Sequence, residues 1–440
     1  MGRVLSMVRR TSFELERLMG IEVYLTDEDG VGGDLRVEPG DFIVNEVSYF
    51  KVGTSGDYII VRLTKKNWEM HHLIRDLSRQ LGISEERIGI AGTKDKRAVT
   101  TQLMSIRGIS EEQLSHVDLP RVKLEPLGRA NRDIGLGDLL GNDFDVTIGH
   151  IALPAAELER RIEAIGGSIA NMGGVPNFFG YQRFGVVRPI THLIGKKLLR
   201  GDVEGAAMAY IAMSFRGETE ENRKARDFVM ETHDFKEGLK KYPLNLRYER
   251  AMMHYLAEHP DDYAGAFRSL SPRLLRLFVH AYQSYLFNRL LSRRLLDGFS
   301  LSEPVEGDVV CFTDERGAPD TSKLEVVTKK NLPDVMFLIK RKRAYITLPL
   351  IGKDTSLDGG RRGEEERRVL EEEGVRAENF SVSAMPDLAS AGLRREILLR
   401  VKPEIKAGEG MARLKFFLPK GCYATTVLRE FMKAGPEHMD

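Results

Sequence analysis

The stretch GIAGTKDKRAVTTQ, residues 89–102, sets one acid, Asp95, between Lys94 and the pair Lys96–Arg97. On either side, RIGIA and AVTTQLMSI carry the β-branched and apolar residues that suit strands, so the acid falls on a connecting loop. If that loop is extended, Lys94 and Lys96 diverge from Asp95 while Arg97 shares its side. A cation within reach favours the charged form of a carboxylate. Gly89 and Gly92 let the backbone approach another surface closely. The residues allow two readings: a solvated turn with surface charges, or an acid serving as nucleophile or base without a metal.

Outward from the loop, strand and helix signals alternate. DFIVNEV (41–47) and DYIIVRL (57–63) read as strands bounded by Gly, Pro and Asp. Met70, Leu73, Ile74, Leu77 and Leu81 recur at helical spacing, predicting an amphipathic helix over 69–81 closed by Gly82. In NDFDVTIGHI, Phe144, Val146 and Ile148 alternate with polar residues as in a half-buried strand. A short helix follows over 156–165. The glycine-rich stretch 166–185 changes the texture, and helices dominate after it: about 191–213, 218–231, 245–258 and Ser271–Gly298. Strand-like pieces resume at 308–312 and 335–347, a charged helix spans 360–376, and the last fifty residues return to strands and a final helix. The class is α+β, without the strict βαβ rhythm of a parallel sheet.

The 440 residues have an ordinary globular composition, 42% hydrophobic and 30% charged, and a formal charge of only +1. A nucleic-acid partner therefore needs basic residues gathered locally. Cys311 and Cys422 lie far apart, which speaks against a disulfide framework and for a reducing, cytoplasmic setting. No apolar run is long enough to span a membrane, and the first eighteen residues do not read as a secretory leader. Phosphate-loop, dinucleotide, nucleophile-elbow and zinc-protease motifs are missing. His71 and His72 are adjacent and cannot share a metal on one helix face, so no metal or other cofactor is expected.

One basic cluster stands out: Arg183, Arg188, Lys196, Lys197 and Arg200, with no acid among residues 183–200, directly after the aromatic-rich NFFGYQRF. Basic side chains track phosphates, and exposed Phe or Tyr can stack on unpaired bases. Phe178, Phe179 and Phe184 could equally be core residues. Arg121, Lys123, Arg129 and Arg132 form a second patch, diluted by Glu125 and Asp133.

Taken together, AGTKDKRAVTTQ (91–102) resembles the signature of the TruD family of tRNA pseudouridine synthases. LRVEPGDFIVNE (35–46), LTKKNWEM (63–70), GNDF (141–144), PNFFGYQRFG (176–185), AYQSYLFN (281–288) and FFLPKGCYATTVLRE (416–430) resemble further family stretches, in family order along nearly the whole chain. The middle region is long for the family, as in archaeal and eukaryotic members. Gly40 stands where an acid is usual, and Cys422 where a small Ser is common.

The resemblance implies a mixed, mostly antiparallel sheet with a central cleft. It would be built from an outer catalytic domain (1–170 and 391–440) interrupted by an inserted α+β TRUD domain (171–390). Asp95 matches the family's essential aspartate. Phe42, Asn142 and Phe144 match substrate-binding positions, with Phe144 lying against the target base, and Tyr423 sits where the family has an aromatic. Arg36 occupies a basic position expected to pair with the aspartate, and Lys94 belongs to the signature. The activity implied is isomerisation of a tRNA uridine, at position 13, by base flipping. It requires no cofactor, membrane or protein partner, although related members modify other RNAs too. Two rivals stay open: a catalytically silent RNA-binding protein or chaperone using the same groove, and a nucleoside or glycoside hydrolase, which also places carboxylates near an anomeric carbon.

Overall fold

The structure is a computed structural model that describes residues 8–357 and 360–439. The chain forms two compact units. One comprises Glu28–Val175 and Leu399–Asp440, the other the residues up to Asp27 with Pro176–Leu398. The expected outer segment 1–170 thus differs in its first residues, which group with the central stretch. Local bonds explain why: the Tyr181 hydroxyl donates to Glu16 at 2.6 Å, His192 meets the Leu18 carbonyl at 2.8 Å, and Asn288 donates to the Met19 carbonyl at 3.0 Å.

The unit of residues 28–175 and 399–440 is organised by one nine-stranded sheet. Its strands are β1 (Asp34–Leu35), β2 (Phe42–Ser48), β3 (Tyr58–Lys66), β4 (Ile88–Ile90), β5 (Val99–Arg107), β6 (Val122–Ala130), β7 (Leu139–Gly149), β8 (Glu404–Gly408) and β9 (Met411–Pro419). The order is β8-β9-β7-β2-β5-β3-β6, with β1 added on β7 and β4 on β5. Only β2 and β5 run parallel, so the sheet is mixed and mostly antiparallel.

Alternation decides which side is covered. Paired residues share a face, which places Phe42, Val44 and Glu46 of β2 with Asn142, Phe144 and Val146 of β7, and Phe416 and Leu418 of β9. Thr100 joins them on β5 and Lys65 on β3. The opposite face sends Asn45, Arg62, Asp143, Arg413 and Lys415 to solvent. The helix Met70–Leu81 buries Met70, Leu73, Leu77 and Leu81 against Ile59, Val61, Leu63, Met104 and Ile106. It starts where the Glu69 carboxylate accepts from the His72 amide at 2.8 Å, and stops at Gly82, whose φ of +64° is left-handed.

The helix after β7 runs over Ala155–Met172, longer than the expected 156–165, because Ile165 and Ile169 continue its buried stripe through the glycines.

In the other unit the expected 191–213 helix is two, Thr191–Leu199 and Val203–Ala212, broken at Gly201 with φ +77°. The longest, Pro272–Leu296, begins on the Ser271 hydroxyl cap as expected. A four-stranded sheet follows, ordered 319–326, 309–313, 344–350, 393–396. The expected strand over 335–347 is a helix, Leu332–Lys340, and then a strand, Ala344–Leu350. Pro333 opens that helix and Val335 and Ile339 bury one face, a period of four that reads as apolar density without register.

Candidate active site

Asp95 lies in the loop between β4 and β5, its side chain 39% exposed. Its carboxylate accepts from the Arg36 guanidinium at 3.2 Å. Arg36 itself is 4% exposed and held on three sides. It donates to the Met439 carbonyl at 2.7 Å, and its guanidinium lies 3.9 Å from the centre of the Phe42 ring. Its backbone has φ +54°, a left-handed conformation that costs a non-glycine residue roughly 1 kcal/mol. The chain thus accepts strain where it aims this cation.

The loop is fixed by main-chain atoms rather than by the carboxylate. Lys65, wholly buried on β3, points its ammonium at three carbonyls: Asp95 at 2.7 Å, Trp68 at 2.9 Å and Lys94 at 3.5 Å. Gln102 donates to the Gly92 carbonyl at 3.1 Å, and the Asn67 amide donates to the Ala98 carbonyl at 3.0 Å. Burial pulls the Lys65 ammonium down from 10.5 to about 8; the negative charges of Asp95 and Glu69 act against that, and Lys94 adds to it.

Lys94 turns away from Asp95, as the alternation predicted, and pairs with Glu46 at 2.8 Å, the two side chains 5% and 0% exposed. Glu46 also accepts from the Leu103 amide. The sequence reading missed both Lys65 and Glu46. Glu46→Gln replaces one of the two accepting oxygens with an NH2 donor, so it loses the bond to Lys94 or to the Leu103 amide and leaves the buried Lys94 charge uncompensated. That should cost about 2 kcal/mol, read as a lower urea midpoint with an unchanged slope.

The aromatic residues line the same face. Phe144, 8% exposed, stacks on Phe416 with centroids 5.5 Å apart and 22° between planes, and meets Phe42 edge-on at 6.1 Å. Asn142 is paired across the strands with Glu46 and Leu418, and its side-chain oxygen is buried without a hydrogen-bond partner. Tyr423, half-buried, precedes the helix Ala424–Met432 directly after β9. The loop, Arg36, Lys94, Phe42, Asn142 and Phe144 therefore belong to one unit and one face of its sheet.

The 183–200 cluster belongs to the other unit and is largely neutralised there. Arg188 is drawn inward to Glu249 at 3.1 Å and Glu218 at 3.4 Å, where burial and the neighbouring Arg226 lower its pKa. Lys196 pairs with Glu373 at 2.6 Å and Lys197 with Asp202 at 2.7 Å. Arg183 lies over the Phe179 ring and donates to Ser284. Arg200 is exposed at a helix end. Phe178, Phe179 and Phe184 are buried, so the aromatic run forms core and offers no stacking surface. The acids that cancel the cluster lie outside the window that suggested it.

Among the described residues, no group of three His, Cys, Asp or Glu side chains could hold a metal ion. Neither Cys311 nor Cys422 is in a disulfide among the described residues. No described helix is long and apolar enough to cross a membrane.

A family model for tRNA pseudouridine synthase D (TruD) matches residues 18–431. The chain is 50% identical to a Methanococcoides burtonii protein named "Probable tRNA pseudouridine synthase D", over 97% of this chain and 98% of that one. An Archaeoglobus fulgidus protein of the same name is 41% identical over 95% and 99%. The crystal structure of a candidate tRNA pseudouridine synthase D from Methanosarcina mazei superposes with a TM-score of 0.87 at 49% identity, covering 97% of this chain and 99% of that one.

Proposed function

The chain belongs to the TruD family of tRNA pseudouridine synthases, and from that premise we propose that it converts a uridine of tRNA, the one at position 13, to pseudouridine with Asp95 as its catalytic residue. The reaction breaks the C1′–N1 bond, turns the detached uracil and rejoins it through C5, whose hydrogen leaves to solvent as a proton while N1 takes up a proton from solvent. Nothing is added or lost overall. Asp95 serves either as nucleophile at C1′ or as base at C2′.

The observation that carries this reading is the Arg36–Asp95 pair. One carboxylate oxygen is oriented by a buried guanidinium, while the side chain stays 39% open to a substrate. Extruding the target base costs a few kcal/mol. The Phe42–Phe144–Phe416 stack supports a wall for that base, and Asn142, with Tyr423, supplies polar contact to its edge. The unit of 28–175 and 399–440 would be the catalytic domain, the other the inserted one, acting in the cytoplasm.

A tRNA transcript carrying uridine tritiated at C5 tests the proposal. Wild-type protein should release one equivalent of tritium, with the modified site mapping to position 13 and no free uracil. Free uracil with an abasic RNA would favour a hydrolase. Binding without release would leave only an RNA-binding protein.

A further inference from the structure

We infer that Lys66, Lys96, Arg97 and Arg121 form a phosphate-binding strip beside the Asp95 loop, along which the RNA backbone lies next to the reacting nucleotide. The inference rests on the function proposed above and names the surface that would hold its substrate.

Three stretches of chain meet at this end of the sheet. Lys66 ends β3 opposite Val99 of β5, and its amide donates to the Arg121 carbonyl at 3.0 Å. The Asn67 amide reaches the Ala98 carbonyl at 3.0 Å, and the Trp68 indole reaches the Pro120 carbonyl at 2.8 Å. Neighbouring strands lie ~4.8 Å apart, so cations rooted on three of them spread over roughly 10 Å. Asn67 at φ +58° and Arg121 at φ +61° turn the chain sharply at this rim. The backbone beneath the strip is thus pinned, and it is pinned to the loop that carries Asp95.

The charge here is uncompensated and lies beside the Asp95 loop. All four side chains are exposed, and none is paired with an acid among the described residues. Several other surface cations have acid partners: Arg132 with Asp138, Arg160 with Glu157, Arg413 with Asp145. The nearby acids are already engaged. The Glu69 carboxylate caps its helix, and Glu125 is taken by Lys123 and Arg62. Asp118 remains as an exposed acid at this corner, its backbone bonded to Gln80. In a chain of net charge +1, four adjacent unpaired cations are a local excess that a polyanion would fill. The residues 183–200, which looked more basic in sequence, lack this excess.

The test measures tRNA affinity between about 50 and 300 mM salt for the wild-type protein and for Lys66→Gln/Arg97→Gln/Arg121→Gln. Each neutralised phosphate contributes ~0.7–0.9 to the slope of log affinity against log salt, so the slope should fall by about 2–3. Affinity at about 100 mM salt should weaken tenfold or more, and Lys66→Arg alone should retain it. Unchanged slope and affinity in the triple variant would overturn the strip, and an acidic protein surface would become its better-matched partner. The two readings fail separately. Tritium release by a protein whose salt slope ignores these residues removes the strip alone, whereas a slope carried by them without release removes the chemistry alone.

Discussion

Asp95→Asn protein is expected to bind tRNA as the wild type does and to release no tritium from uridine C5, a loss of at least about 10³-fold. The substitution is nearly isosteric, and the amide oxygen can still accept from Arg36. What disappears is the charge, and with it any nucleophile or base. A thousandfold loss corresponds to ~4 kcal/mol of barrier. The loop should not collapse, because Lys65, Gln102 and Asn67 hold it through main-chain atoms. Filter binding and tritium release on the same preparation give both halves of the result. Equal release by variant and wild type would end the assignment of Asp95.

Lys65→Met should lower kcat by about 10–100-fold while changing tRNA affinity little. The ammonium has three donors, and each faces a carbonyl. Losing buried bonds to a charged group is worth about 1.5–3 kcal/mol, here felt as misplacement of Asp95. Lys65 acts through that residue, so it is a positioning group. Its signature is the pH profile: with the ammonium depressed to about 8, wild-type kcat should fall as pH rises through that value. Unfolding cannot explain the fall. The unfolded chain keeps this proton up to about 10.5, so between the two values the unfolded state binds more protons and stability from this group rises with pH. The Met variant should lack the alkaline limb. A limb that persists in it would assign the titration to another group, with Asp95, Glu69 and Lys94 facing the same site.

Much of the fold was legible because strands and amphipathic helices write their burial in period two and period four. Phe144, Val146 and Ile148 turned inward as alternation required, and the helix ending at Gly82 stopped where a left-handed cap was available. The 335–340 segment was misread because a short apolar run carries no reliable period. In the candidate site, Arg36 pairs with Asp95 as the family resemblance implied, but Lys65 passed as one more surface lysine. The clue was present: Ile59, Val61 and Leu63 alternate inward, and Lys65 continues that series while Lys66 leaves it. Charge in sequence also says nothing about distant partners. Glu373, 177 positions from Lys196, is invisible in a window of eighteen residues.

The strand Met411–Pro419 sits inside the sheet, paired with β7 on one side and β8 on the other. Its partner β7 ends at Gly149, so some 260 residues are translated between the two. Until the later strand emerges from the ribosome, the outer rim of β7 offers unmet amides and carbonyls to any passing chain. Newly made protein should therefore depend on chaperone shielding during that interval, and its slow assembly step should be the docking of this last strand.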